Sequence, residues 1–400
     1  MDLKSGLPYW LARHGMPYEY PTLRKDIKTD VLILGGGITG ALVAHQLLKK
    51  GVESIIIDGR TIGLGSTCAS TALLQYEIDT PLHELQHKVG FENAVLAYRY
   101  CALSIDMLKE IAASIHFDAF EPRKSLYYAA KKSDTTFLSN EFNIRKDNGF
   151  DVEWLHEEVI KERYGFSSAA AILSSKAAQT NAYLFAHDLH QHAISKGIAV
   201  YDRTMAVKIS HHKSGVELIT NKGFRVKAGT LIYANGYEAV KYIDKKIVDL
   251  SSTYAICSEQ LSADEMPALK DTLLWNTADP YLYLRTTPDN RLLIGGRDEP
   301  FYNPTRRDAL LPSKAKQLKK DAEKLFKGFT CNEEFSWTGT FGSTKDGLPY
   351  IGSWKKLPRS YFALGFGGNG ITFSVVAAEI IAAAISGKPS VFRNIFNFDR

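Results

Sequence analysis

A glycine turn near the amino end constrains this chain more than any other feature. Asp30-Val-Leu-Ile-Leu34 is a short unbroken apolar run rich in β-formers, as expected of a strand buried on both faces of a parallel sheet. Gly35-Gly36-Gly37-Ile38-Thr39-Gly40 follows directly, and residues 38–50 then carry apolar side chains at helical spacing until Gly51 stops them. Ser54-Ile-Ile-Ile57 reads as a second buried strand ending at Asp58. Strand, G-x-G-x-x-G turn, helix, strand and terminal acid together form the opening of a dinucleotide-binding βαβ unit. Gly35 permits the tight turn, Gly37 lets a pyrophosphate approach the backbone, and Gly40 lets helix and strand pack closely. The helix start at Ile38 and Thr39 offers unpaired N–H groups and the positive end of the dipole to phosphates. Asp58, followed by Gly59 and Arg60, is placed to accept ribose hydroxyls.

The turn alone leaves NAD and FAD open. Two further segments point to FAD. Residues 63–72, GLGSTCASTA, form a loop of small and hydroxylated residues in which Ser66, Thr67, Ser70, Thr71 and Ala72 can hydrogen-bond a pyrophosphate and pass beneath a flat ring. Gly365-Phe-Gly367-Gly368-Asn369-Gly370-Ile371-Thr372 opens another helix, whose N–H groups suit the electron-rich pyrimidine edge of a flavin. Ala234-Asn235-Gly236, at the end of the run Thr230–Ala234, joins these as a cofactor contact.

The 400 residues, 45% hydrophobic and 23% charged, can bury the cores of two domains. The expected class is α/β, a Rossmann-like FAD-binding domain plus an α+β substrate domain with a mostly antiparallel sheet. Residues 29–80, 181–243 and 343–400 are assigned to the first, 81–180 and 244–342 to the second, and 1–28 to an extended leader on the surface. The net charge of +5 is spread as scattered Lys and Arg pairs, which does not mark a nucleic-acid surface. Cys68, Cys101, Cys257 and Cys331 lie far apart, so no metal site is expected and a reducing compartment fits. No apolar run reaches the length of about 20 residues needed to span a bilayer, and a cytoplasmic monomer or homodimer is expected.

On these motifs, together with LIYANGY, YLYLRTTPDNRLLIGGRDE, TKDGLPYIG and ALGFGGNGITFSVVAAEIIAAAISGK, the chain resembles the D-amino-acid oxidase family of FAD-dependent oxidoreductases, glycine and sarcosine oxidases among them. The resemblance spans most of the chain. It implies an FAD domain assembled from three separated segments and an antiparallel sheet covering the flavin ring. It also implies that Ser66, Thr67 and Thr71 lie along the pyrophosphate and ring, that Val207 meets adenine through its backbone, and that Gly368 to Thr372 meet the isoalloxazine. Members with covalent FAD carry Cys or His at positions matching Gly339 or Ala69, so non-covalent FAD is expected here. The usual carboxylate-binding arginines fall at Phe341 or near Ala72 and Gln75, so both anchors are missing.

Replacement anchors are expected from the strands over the ring, where Tyr281, Tyr283 and Arg285 alternate and share one face, and Gln75 joins them as a substrate-site candidate. The same alternation would hold if that face met solvent or a partner subunit. Arg297, Lys345 and His83 are further candidates. The resemblance implies oxidation of a small amine or amino acid by hydride transfer to flavin N5, giving an imine that water hydrolyses, with oxygen or another acceptor reoxidising the flavin. The alternatives are a flavoprotein acting on a non-amine substrate, an NAD-linked dehydrogenase, and a flavin subunit completed by a partner at the aromatic leader, Tyr9-Trp10 and Tyr18–Tyr20.

Overall fold

In the computed structural model, which describes residues 1–269 and 271–400, the first apolar run forms the strand Ile27–Leu34 at the centre of an eight-stranded sheet. Its neighbours Ser54–Ile57 and Arg225–Tyr233 both run parallel to it, as do Ala199–Tyr201 and Ser360–Leu364 farther out. Leu32 and Ile33 have no solvent exposure, which explains why the run is apolar on both faces. The hairpin Ala206–His212 and Gly215–Thr220 extends from Arg225–Tyr233. Helices Ile38–Lys49, Ala182–Ser195 and Gly370–Ser386 cover one face, and their small residues, Ala41, Ala44, Ala377 and Ala378, let them sit close in one core.

The second sheet has ten strands, and every pairing in it is antiparallel except Thr272–Asn276 with Phe120–Tyr128. Its strands lie mostly within residues 120–180 and 249–343. The helix Pro304–Leu325 covers one side, with Leu318, Ala315 and Ala322 packed on Tyr254, Ile256 and Ile294. Helices Leu82–Val89 and Phe91–Ser114 meet at Gly90, where a φ of 83° breaks the run.

Two expectations change here. The leader is not a surface strap. Lys4–Gly6 is a strand paired with Glu333–Ser343, and Tyr9–His14 is a short helix that buries Tyr9 and Trp10 against Cys257, Leu293 and Trp337. Tyr20 is buried as well and Tyr18 stays exposed, so three of the four aromatic residues that pointed to a partner are spent inside this chain. Secondly, Leu73–Gln75, assigned with the cofactor segments, pairs with Ala170–Thr180 in the larger sheet. That short strand ties the loop below the glycine turn to the sheet above it. No helix among the described residues is long and apolar enough to cross a membrane.

Candidate active site

The glycine turn is built around close backbone contacts. A side chain at Gly40 would place its first carbon 1.9 Å from the Gly35 carbonyl oxygen, and one at Gly37 would stand 2.8 Å from Thr67 Oγ1. Thr67 Oγ1 in turn accepts the Ile38 N–H at 3.1 Å, so the hydroxylated loop is fastened to the helix start. Asp58 closes the turn from the next strand: Oδ2 accepts the Gly36 N–H at 2.7 Å and Oδ1 the Arg60 N–H at 2.7 Å. Burial pushes the Asp58 carboxyl up, and those two N–H groups pull it back. Arg60 is itself held by both oxygens of Glu238, at 2.8 and 3.0 Å.

From this turn a cavity of about 560 Å³ runs between the two sheets. Gly35, Gly37, Ile38, Thr39, Asp58, Gly59 and Arg60 line one end, with Ser66, Thr67, Ser70, Thr71 and Ala72 along the loop. Ala234, Asn235, Gly236, Gly367, Gly368, Gly370 and Ile371 complete the lower wall. Gln75, Tyr281, Tyr283, Thr253 and Asp298 stand at the far end. Ser66 Oγ and Asn235 Oδ1 are buried with no hydrogen-bond partner in the protein. Orphaned polar atoms on such a wall call for a polar ligand. A backbone cradle, two orphaned acceptors and the starts of two helices fit a dinucleotide with a flat ring.

At the second helix, Asp79 Oδ2 accepts the Gly368 N–H at 2.7 Å and Oδ1 accepts the Tyr281 hydroxyl at 3.1 Å. Asp79 is exposed to solvent and is not part of the cavity lining, yet the protein packed around it raises its pKa, and burial together with Asp79 lifts the Tyr281 phenol well above its ordinary value.

Several residues expected at the site lie elsewhere. Arg285 shares a face with Tyr283, but it does not reach the cavity. Its Nη1 donates to the carbonyls of Thr71, Ala72 and Thr180 at 3.1, 2.9 and 2.9 Å, and its guanidinium lies 5.2 Å from the Trp10 ring. The leader and the loop cover it, so it is a strut beneath the cofactor loop. Val207 is 58% exposed and stands outside; Met205 and Ala206 line the wall in its place. Asn369 and Thr372 turn inward: Asn369 Nδ2 donates to the Glu77 carbonyl at 2.8 Å, and Thr372 Oγ1 to the Asn369 carbonyl at 2.9 Å. Gly40 lies behind the turn as a packing residue. Arg297 pairs with Asp321, Lys345 with the Arg400 carbonyl and His83 with Glu141, all away from the cavity.

Asp79 and Asp298 were missed. Asp79 could have been read from its place at the end of the mixed run LLQYEID, between loop and helix. Asp298 carries no such signal.

A nucleotide cradle on a parallel sheet, roofed by an antiparallel one, defines a flavin-dependent oxidoreductase. The profile of the DAO family, FAD dependent oxidoreductase, matches residues 30–384, so the chain belongs to that family and its cofactor is FAD. The chain is 25% identical to the glycine oxidase of Geobacillus kaustophilus, covering 91% of this chain and 94% of that one. It is 23% identical to the gamma-glutamylputrescine oxidoreductase of Escherichia coli, covering 96% and 90% respectively. The crystal structure of the Geobacillus kaustophilus glycine oxidase superposes with a TM-score of 0.78 at 21% identity, covering 93% of this chain and 99% of that one.

Proposed function

We propose that this enzyme oxidises a small amine or amino-acid-like substrate, and that it holds FAD without a covalent bond. The observation that carries the reading is the far end of the cavity, where Tyr281, its hydroxyl close to Gly368 just before the helix Gly370–Ser386, stands beside Tyr283. Two phenol rings there can orient a substrate and exclude water, while Gly368 and its neighbours supply backbone N–H groups. Bound FAD supplies the two-electron acceptor: the substrate's α-C–H bond breaks as hydride, the nitrogen loses a proton, and water converts the imine to a carbonyl. The glycine turn and the loop at 66–72 would hold the pyrophosphate, and Asp58 the ribose. Among the described residues no cysteine or histidine lines the cavity, which supports the non-covalent attachment. The relatives named glycine oxidase and gamma-glutamylputrescine oxidoreductase favour the amine class.

The test is anaerobic. The purified yellow protein should bleach with at least one member of a panel of primary amines, secondary amines and amino acids, and acid precipitation should release all of its FAD. A flavin that stays oxidised across the panel would rule out the substrate class. Colour retained in the precipitate would rule out the non-covalent attachment.

A further inference from the structure

The strand Leu292–Glu299 carries a bulge that decides the charge of the substrate end. Ser252 pairs with Glu299 and Tyr254 with Gly296, so two residues, Arg297 and Asp298, stand against the single residue Thr253. Gly296 and Arg297 absorb the extra residue with φ values of 139° and 58°. Up to the bulge the faces alternate: Ile294 packs toward the helix Pro304–Leu325, while Gly295 lies directly under the Tyr283 ring on the cavity side. Unbroken alternation would bring Arg297 to the cavity and turn Asp298 away. The bulge reverses this. Arg297 reaches back to Asp321 on the helix, Glu299 reaches Lys314 on the same helix, and Asp298 enters the cavity wall.

Asp298 Oδ1 is buried and has no hydrogen-bond partner in the protein. No basic side chain in the cavity lining can answer it. The two present, Arg60 and Lys241, belong to the other end, where Arg60 is paired with Glu238 and Lys241 lies one turn beyond Glu238 in the segment Gly236–Tyr242. Asp79 adds a second carboxylate behind Tyr281. A carboxylate among aromatic rings, answered only by the Thr253 hydroxyl and by Lys314, which is itself paired with Glu299, is a complement to an ammonium group, through a charge-assisted hydrogen bond and cation–π contact. It repels a carboxylate.

We propose that Asp298, flanked by Tyr281 and Tyr283, forms a cation subsite that binds the ammonium group of an aliphatic amine lacking an α-carboxylate. This narrows the substrate class proposed above and rests on that reading only for the oxidation step; binding stands separately. The missing carboxylate-clamping arginines then reflect a substrate with nothing for them to bind.

The test titrates the FAD-loaded protein with butylamine and with butyrate, following the flavin absorbance change and the heat of binding. Butylamine should bind and butyrate should not. Asp298→Asn should weaken butylamine about 10- to 100-fold, and Asp298→Glu should restore part of the loss. Butyrate or glycine binding as well as butylamine, or an Asp298→Asn protein with unchanged butylamine affinity, overturns the proposal. Should Asp298→Asn fail to fold with FAD, the butylamine-against-butyrate competition on the unaltered protein decides alone. Butylamine that binds without bleaching the flavin, with no other amine active, sinks the oxidation reading and leaves the subsite standing. Bleaching by amino acids with no binding of butylamine sinks the subsite and leaves the oxidation reading.

Discussion

Asp79 and Gly368 are 289 residues apart in sequence and are joined by a 2.7 Å hydrogen bond, with the Tyr281 hydroxyl on the other oxygen of the same carboxylate. The bond ties the segment below the larger sheet to the start of the helix Gly370–Ser386, so three chain regions meet at one side chain. Tyr281→Phe removes one of these bonds and leaves the ring. Flavin reduction by a productive substrate should slow about 2- to 10-fold with FAD content unchanged. Equal rates for both proteins in anaerobic stopped-flow would remove Tyr281 from the site.

Asp58 accepts two backbone N–H groups that shape the glycine turn. Asp58→Ala should weaken FAD by about 1–3 kcal/mol, through loss of the ribose contact and loosening of the turn. Fluorescence titration of the apoprotein with FAD measures it, and unaltered affinity would show that Asp58 does not meet the cofactor.

Arg285 is buried and satisfies three carbonyls, and burial brings its guanidinium down to about 10. Replacing it with methionine removes all three of these bonds, leaving the Ala72 carbonyl only the Thr180 N–H at 3.3 Å, which should cost about 3 kcal/mol or more in stability and lower FAD occupancy. The FAD-loaded fraction should keep its KM. The opposite pattern, normal melting with a raised KM, would return Arg285 to the role of substrate anchor.

Glu141 caps the helix Leu82–Val89 by accepting the N–H groups of Leu82 and His83 at 3.0 Å, and it pairs with Arg145 at 2.6 Å. Burial pushes its carboxyl up, but Arg145 and the hydrogen bonds from His83 and Leu82 outweigh it and hold the folded-state pKa at about 2, against 4.5 in the free state. Its stabilising contribution is therefore complete above about 4.5 and is lost as the pH falls toward 2. Glu141→Gln leaves the buried Arg145 only the 3.4 Å contact to Glu77, and should destabilise by about 3–5 kcal/mol at neutral pH while flattening the acid limb of the melting curve. An unchanged acid limb would show that other carboxylates control it.

The local features were legible because neighbours in sequence create them. The run Val31–Leu34, the turn at 35–40 and Asp58 lie within one supersecondary unit, and each carries its own signal of burial, φ freedom or charge. The small, hydroxylated loop at 63–72 and the helix start at 365–372 announced themselves by composition. The leader was misread because six helical residues and a three-residue strand are too short to show a period.

By itself the sequence determined the βαβ cradle and the flavin. The tertiary structure decided which charges face the cavity. Arg285 and Tyr283 share a face as alternation requires, yet Trp10 and the carbonyls of Thr71 and Ala72, far away in sequence, cover the arginine and leave the tyrosine open. Arg297 and Asp298 exchange places because one extra residue against Thr253 shifts the pleat by half a period. A bulge exists only between two paired strands, and cover exists only between packed segments; neither is a property of the residues taken in order.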